Sequence, residues 1–356
     1  MAYTNIDDPS AFFQTALYTA SGSNLSITND GNSDLKPDLI WFKRRDSTTV
    51  HAWFNSSIGR GAFLYTPGTE VEVACAAGYE LLTFDTDGFS LGLNQHGVTN
   101  SAGARVAWQW KANGGTTSTL SNTGPDSVVQ VNSDAKFSIG TYTGNGSNSN
   151  VKHGLGETPD MLIVKRRTGG TGSWAVWHKD LITAYWLRLD TTVAQASGVW
   201  DGLNPSSEKF FITGGSSNVN ISGSDYVFYA WKSVQGYSKF GKYVGNGANN
   251  GTFVYTGFAP AFVMIKNTGQ ATNWEMFDVK RNPFNVRNLK LGANLAVAEN
   301  GSDLGTTSQN NIDILSNGFK MRTGNTDTNV NGNTYIYMAF AENPFTTSTG
   351  IMGTAR

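Results

Sequence analysis

Cysteine and charge are both scarce in this 356-residue chain, and each scarcity excludes a class of protein. Cys75 is the single cysteine, so no disulfide can form within one chain and the fold should not depend on an oxidising compartment. Only 15% of residues are charged, and 26 basic residues balance 27 acidic ones to a formal net charge of -1. Because nucleic acids and anionic membrane surfaces both select a surplus of cations, we expect neither as a partner.

Long hydrophobic runs are also missing. No apolar run approaches the roughly 20 residues that cross a bilayer, and the start of the chain lacks the basic and apolar segments of a signal peptide. We therefore expect no membrane insertion and assembly in a cytoplasm. What is present is a 39% hydrophobic share with 12% aromatics and 41 glycines, which is typical of β-structure with many tight turns.

Three segments of the chain resemble one another in order and spacing. Each contains a proline that is followed by an apolar run and a lysine at the same distance: Pro37 and Lys43, Pro159 and Lys165, and Pro260 and Lys266. A tryptophan follows each run, and we expect the three to occupy equivalent core positions: Trp53, Trp174 and Trp274. Repeats of about 100 residues are long enough to be domains with their own cores, which favours separate units over a solenoid.

The pattern predicts an all-β protein of three tandem β-sandwich domains, of jelly-roll or lectin-like type. We expect domains at residues 12–112, 137–236 and 237–345, an N-terminal arm at 1–11, a linker at 113–136 and a C-terminal tail at 346–356. The linker contains a candidate strand at 127–131. Aromatic strands close the repeats and are apolar on both faces, so one face needs cover from a neighbouring repeat or another chain. We therefore expect a homo-oligomer.

No constellation of catalytic or ligand residues stands out. The four histidines form no metal-binding motif, and the acidic run at Asp85 lacks the final glutamate of a calcium loop. Phosphate-binding loops and nucleophile elbows are missing, and Cys75 lies in an apolar stretch typical of a buried residue. We predict a non-enzymatic protein without cofactors or metals; a depolymerase, whose paired carboxylates leave no sequence motif, is the enzyme alternative.

Two sets of residues are candidate interaction surfaces. The first is a basic triplet in repeats 1 and 2 that repeat 3 lacks: Lys43, Arg44 and Arg45, and Lys165, Arg166 and Arg167. The triplets either dock carboxylates of a neighbouring subunit or meet solvent at a strand end, and we favour the solvent-facing strand end. The second set is aromatic and private to repeat 2, where it forms either core or a binding surface: Tyr185, Trp186 and Trp200.

Further motifs extend over essentially the whole chain. They are residues 2–15 (AYTNIDDPSAFFQT), 142–146 (YTGNG), 153–156 (HGLG), 174–178 (WAVWH) and 335–345 (YIYMAFAENPF). In these motifs the chain resembles a repeat-domain family of unknown function that is found in virion structural proteins of tailed, often marine, bacteriophages. The resemblance supplies no catalytic residues.

The resemblance implies a non-enzymatic structural protein of the virion, assembled in the host cytoplasm and displayed on the particle surface. A tail fibre or appendage is favoured; the alternatives are a capsid (head) decoration or cement protein, and a carbohydrate-binding adhesin for the host surface. The implied partners are other virion proteins, further copies of this chain in a symmetric assembly for which a trimer is favoured, and a host surface glycan.

Overall fold

The computed structural model describes residues 3–299, 301 and 311–353. Within these ranges the regular structure is antiparallel β-sheet and a single 3-10 turn at Pro9–Ala11, and none of the residues forms an α-helix. The all-β prediction is therefore confirmed. The same ranges contain no helix that is long and apolar enough to cross a bilayer.

Each repeat contributes one large antiparallel sheet. In repeat 1 the strand order is β1 (Phe13–Ala20), β9 (Gly103–Trp110), β3 (Leu39–Arg44), β4 (Ala52–Asn55), β5 (Gly59–Tyr65) and β6 (Val73–Ala74). In repeat 2 it is β10 (Ser118–Leu120), β11 (Ser127–Asn132), β12 (Phe137–Thr143), β18 (Asp225–Trp231), β14 (Met161–Arg166), β15 (Ala175–His178) and β16 (Leu187–Arg188). In repeat 3 it is β19 (Ser238–Val244), β26 (Thr334–Pro344), β21 (Phe258–Asn267), β22 (Glu275–Asp278) and β23 (Leu291–Gly292).

Each repeat also contributes one small sheet. The strands are β2 (Leu25–Ile27), β8 (Gly88–Leu91) and β7 (Leu81–Asp85) in repeat 1, β13 (Ser149–Lys152) and β17 (Lys209–Ile212) in repeat 2, and β20 (Phe253–Tyr255), β25 (Gly318–Met321) and β24 (Ile312–Leu315) in repeat 3. The strand expected within the segment 113–136 is present as β11, and this segment forms an edge of the second large sheet through β10 and β11.

The three large sheets share one topology because the same sequence pattern recurs in each repeat. The opening strand pairs with the closing aromatic strand, and that strand pairs with the run that follows the proline. In repeats 2 and 3 a glycine of the opening strand lies under an aromatic ring of the closing strand. A Cβ on Gly140 would lie 2.2 Å from the Phe228 ring, and one on Gly241 would lie 2.8 Å from the Tyr337 hydroxyl. These close approaches explain why glycine occurs in the middle of these strands.

Both faces of each large sheet are buried, but against different partners. One face packs against the small sheet of its own repeat, which gives three separate apolar clusters. The other face contributes to a single cluster that contains residues of all three repeats. Trp53 of repeat 1 packs on Trp174 and Tyr229 of repeat 2, with ring centroids 5.0 and 4.8 Å apart. Phe13 of repeat 1 stacks on Phe340 of repeat 3 at 5.1 Å. The expectation of three cores of their own therefore holds for only one face of each sheet.

Backbone hydrogen bonds close the repeats into a ring. One bond occurs three times, with N–H to carbonyl distances of 2.8 to 3.0 Å, and joins each repeat to the one before it: Thr49 to Ala296, Gly172 to Thr69, and Thr272 to Thr192. A second bond runs in the opposite direction at 2.8 to 2.9 Å: Glu72 to Arg167, Gln195 to Thr268, and Glu299 to Arg45. Since repeat 1 contacts repeat 3 as it contacts repeat 2, the chain forms an internal pseudo-trimer.

The strand registers correct one predicted equivalence. Ala52, Ala175 and Glu275 hold the same position, because each opens the strand that pairs with the run after the proline. Trp174 and Trp274 precede that position and are equivalent, but in repeat 1 the preceding residue is His51. Trp53 aligns with Val176 and Met276 instead. Residues two apart on a strand share a face, so Trp53 still lies in the core, with 1% of its surface exposed.

Candidate functional site

The first set of side-chain contacts between neighbouring repeats is made at the position that Trp174 and Trp274 share. The Nε1–H of Trp174 donates to the carbonyl of Tyr65, and that of Trp274 donates to the carbonyl of Arg188, each at 2.8 Å. His51 takes this place in repeat 1. Its Nδ1 accepts from the Trp41 indole at 2.7 Å, so the neutral ring carries its proton on Nε2. The ring also faces the backbone of Gly292, the repeat 3 counterpart of Tyr65 and Arg188.

The last arginine of each basic triplet faces a neighbouring repeat. Arg45 pairs with Glu299 of repeat 3 at 3.1 Å, and Arg167 pairs with Glu72 of repeat 1 at 2.7 Å. The solvent-facing strand end that we favoured is therefore wrong for Arg45 and Arg167, because each follows a strand that ends at a contact with a neighbouring repeat. The alternative identified the right chemistry, a carboxylate partner, but that partner belongs to the same chain.

The middle arginines of the triplets stay within their own repeats. Arg44 pairs with Asp46 at 2.7 Å near the surface. Arg166 is buried and donates to the carbonyl of Thr168 at 2.9 Å and to the hydroxyl of Ser224 at 2.8 Å. These two side chains hold the turn that follows the strand, and Arg166 is closed to an external partner by its burial.

Three equivalent lysines lie inside the ring, fully buried: Lys43, Lys165 and Lys266. Lys43 donates to the carbonyl of Ala296 in repeat 3 at 3.0 Å, and Lys266 donates to the carbonyl of Thr192 in repeat 2 at 3.0 Å. Burial lowers the pKa of Lys43 and of Lys266 to about 7 and that of Lys165 to about 8. Because their ammonium groups bind backbone carbonyls, these lysines are structural donors.

A further polar position was missed by sequence reasoning. Asn55, His178 and Asp278 are equivalent, since each pairs with the residue two places after the proline. Asn55 donates to the Tyr229 hydroxyl of repeat 2 at 2.8 Å, and Asp278 accepts from the Trp108 indole of repeat 1 at 3.1 Å. His178 faces the backbone of Tyr337 in repeat 3. One feature of the sequence could have indicated this position: a polar residue, different in every repeat, ends an otherwise mostly apolar strand.

The aromatic residues private to repeat 2 belong to its interior. Trp186 and Trp200 expose 4% and 1% of their surfaces and lie in the apolar cluster of that repeat. The Trp186 ring lies 4.4 Å from the Arg188 guanidinium, and its indole donates to the carbonyl of Ser197 at 3.2 Å. Tyr185 is half-buried and packs against the shared core. The structure thus supports the core alternative for these residues and not a binding surface.

An open groove of about 420 Å³ lies where repeat 3 meets repeat 2. Repeat 3 provides Lys239 and Lys242 from β19 and the rings of Phe253 and Tyr255 from β20. Repeat 2 provides Lys179 and Asp180 from the turn after β15. Phe253 and Tyr255 expose 45% and 48% of their surfaces. The Lys239 ammonium donates to the carbonyl of Tyr255 at 2.8 Å and lies 5.2 Å from its ring centroid, which fixes the ring at the groove wall.

The remaining candidate reactive groups are a buried carboxyl and a half-buried thiol. Among the described residues no group of three histidine, cysteine or acidic side chains could hold a metal ion. Burial raises the pKa of Glu275 to about 8, and this carboxylate is fully buried beside Lys290 at 3.3 Å. Burial also raises the pKa of the Cys75 thiol to about 12, so at neutral pH it is the thiol and not the nucleophilic thiolate.

Fold and contacts together define a class of protein. It is an all-β chain whose three repeats close into a ring through buried polar contacts, with a groove of lysines and exposed aromatics on the outside. The chain belongs to the family described as "Domain of unknown function (DUF7483)", which matches residues 8–344. Comparisons with curated proteins and with solved structures return no match.

Proposed function

We propose that this protein is a non-enzymatic structural component of a tailed-phage particle, displayed on its surface as part of a tail fibre or appendage. The proposal rests on the resemblance in residues 2–15 and in the repeats. One observation of the structure supports it: buried lysines and partly buried arginines hold the repeats together. Lys43 and Lys266 bind backbone carbonyls of a neighbouring repeat, and Arg45 and Arg167 bind its carboxylates.

We also infer that each repeat is a β-sandwich of one large and one small sheet, and that the three sandwiches act as one body. The apolar clusters between the large and small sheets support the sandwich, and the cluster shared by all repeats supports the single body. A rigid, disulfide-free block of this kind suits a particle component that must keep its shape outside a cell.

The homo-oligomer remains part of the proposal on the resemblance alone. The sequence argument for an oligomer was that one face of each sheet needs cover. The repeats provide this cover for one another within the chain, so that argument no longer requires a second chain. The N-terminal arm also contacts its own chain: Tyr3 donates to the carbonyl of Gly257 and Thr4 to that of Gln235, each at 2.7 Å. A trimer would therefore form through the outer surface.

Mass analysis of purified particles, with copy number, tests the location. A few copies that match the symmetry of the tail would support the appendage. Copies on the scale of the capsid lattice would instead identify a head decoration or cement protein. Absence of the protein from particles would overturn the virion role altogether.

A carbohydrate-binding adhesin for the host surface is the second candidate function. The groove between repeats 2 and 3 favours it, because exposed aromatic rings beside polar groups are typical of ligand sites. Binding of a glycan by the purified protein, with no need of other virion proteins, is the measurement that separates an adhesin from a purely structural block.

A further inference from the structure

We infer that the groove formed by Lys179, Lys239, Lys242, Phe253 and Tyr255 binds the chain of an acidic polysaccharide. The inference rests on the adhesin alternative and adds to it a binding site and a class of ligand. Only the biological role of the binding, attachment of a phage to its host, depends on the proposed function. Binding by the purified protein can be measured wherever the protein lies on the particle. The inferred ligand and the proposed virion role can therefore fail separately.

The repeats act as internal controls for the aromatic residues. Val254 aligns with Ile27 and Val151, since each pairs with the recurring phenylalanine of the neighbouring strand. The flanking positions, which point outward, carry Ser26 and Thr28 in repeat 1 and Asn150 and Lys152 in repeat 2. Repeat 3 alone carries Phe253 and Tyr255 there. The shared fold therefore does not require these rings, and a ligand that covered them would remove exposed apolar surface from water.

Exposed aromatic rings are rare elsewhere on the molecule. In the described ranges the exposed aromatic side chains are Phe253, Tyr255 and Phe284. Two of the three thus lie in one groove, two positions apart on one face of a strand, about 6.6 Å from each other along it. Such a pair of rings offers two successive stacking surfaces to an extended chain.

Two of the three lysines of the groove are private to repeat 3 in the same way. Lys239 aligns with Gln14 and Ser138, and Lys242 aligns with Leu17 and Thr141. Together with Lys179 they place three ammonium groups at the groove, where Asp180 lies 3.6 Å from Lys242. Lys179 is also held by Asp160 at 3.4 Å.

Charge crowding gives the groove a preference for anions. The pKa of Lys239 is lowered, first by burial and second by the charge of Lys179. A carboxylate or sulfate between these two ammonium groups would relieve the repulsion and gain charge-assisted hydrogen bonds. The ligand therefore combines a ring face that stacks on aromatics with an anionic group, which is the chemistry of a uronic acid or a sulfated sugar.

The shape of the groove favours a polymer over a small molecule. Sites for small ligands enclose most of the ligand surface, whereas this groove is open to solvent along β20. Single-stranded nucleic acid also combines stacking with phosphate charge. It is disfavoured because sites for single strands track several successive phosphates with a positively charged groove. This groove has three lysines, and two of them already pair with Asp160 and Asp180.

The test is isothermal titration of the full chain with three acidic polysaccharides: polygalacturonate, alginate and dextran sulfate. Dextran is the neutral control and oligothymidylate the nucleic-acid control. Two double variants import residues that the fold already accepts in repeats 1 and 2: F253S with Y255T, and K239Q with K242T. Matched controls outside the groove are F284S, which removes the other exposed ring, and K152T, which removes a lysine of repeat 2. Thermal unfolding checks that each variant keeps the stability of the parent chain.

We expect at least one acidic polymer to bind and dextran not to bind. Each double variant should lose about tenfold or more in affinity, and the lysine variant should also lose most of the salt dependence. F284S and K152T should bind like the parent chain. Failure of all three acidic polymers to bind, equal binding of dextran, or equal losses in the control variants would overturn the inference. Groove-dependent binding of oligothymidylate alone would reassign the groove to nucleic acid.

Discussion

At the scale of single residues, Trp174 shows how one side chain serves two repeats. Its ring is fully buried in the shared core against Trp53, and its indole donates to the Tyr65 carbonyl of repeat 1. We expect Trp174→Ala to destabilise the whole chain by about 3–5 kcal/mol, the usual cost of emptying a large aromatic site. Trp174→Phe, which keeps most of the apolar volume and loses the donor, should cost less. Denaturant unfolding of the full chain measures both; a loss below about 1 kcal/mol for the alanine variant would contradict the burial.

His178 should make stability depend on pH. Burial lowers its pKa from 6.5 to about 3, with the charge of Lys179 as a second cause. The unfolded chain therefore binds a proton between these values that the folded chain does not, and the free energy of unfolding falls as the pH falls through this window. The slope from this group is about 1.4 kcal/mol per pH unit. Denaturant unfolding between pH 6 and 4 should show a slope smaller by about this amount in His178→Gln. An unchanged slope would mean that the histidine titrates normally.

At the scale of strands and turns, two equivalent interfaces between repeats differ in whether they contain an ion pair. The bond from Glu72 to Arg167 and that from Gln195 to Thr268 share one backbone geometry at 2.9 Å, but only the first adds a salt bridge. Replacing Glu72 and Arg167 by Gln and Thr, the pair that the other interface already uses, should cost about 1 kcal/mol, since both side chains are partly exposed. A double-mutant cycle with the single variants measures the coupling, which should shrink at high salt. A loss of several kcal/mol would show that the backbone contact itself depends on the ion pair.

Strands could be predicted from the sequence where an apolar run sits between turn residues. The run after Pro159 became β14, and the candidate strand at 127–131 became β11. Register could not be predicted to the residue, because the turns between paired strands differ among repeats and the spacing from proline to tryptophan differs with them. Matching tryptophan to tryptophan therefore selected Trp53, when the strand pairing places His51 at that position. A histidine in a tryptophan position carries no compositional signal. The only link between the two residue types is that each side chain faces the backbone of the preceding repeat.

At the scale of the whole molecule, the repeat count could be predicted from the sequence and the closure of the ring could not. The need for cover over the apolar strands was visible in the sequence, but a strand that is apolar on both faces does not specify whether its cover comes from the same chain. The basic triplets had the same ambiguity, since carboxylate partners in another subunit and in another repeat demand identical chemistry. The aromatics of the groove were overlooked because Phe253 and Tyr255 occupy an ordinary strand pattern, and their exposure becomes evident only beside the polar residues of repeats 1 and 2.

The closed ring predicts how the molecule unfolds. Because one apolar cluster contains strands of all three repeats, no repeat can leave it without exposing the inner faces of the other two. We therefore expect the full chain to unfold in one cooperative transition, with equal calorimetric and van't Hoff enthalpies. Scanning calorimetry of the full chain makes this measurement.

The fragment 113–236 gives the complementary test. Its large sheet would present Trp174, Tyr229 and Trp231, all buried in the full chain, to solvent. An exposed patch of this kind drives association, so the fragment should aggregate or remain unfolded, while the full chain stays dispersed at the same concentration. Light scattering on the two proteins side by side distinguishes the cases. Three separate transitions in the full chain, or a fragment that is folded and monomeric, would contradict this expectation. Each repeat would then be stabilised chiefly by packing against its own small sheet, and the shared core would not couple the unfolding of the repeats.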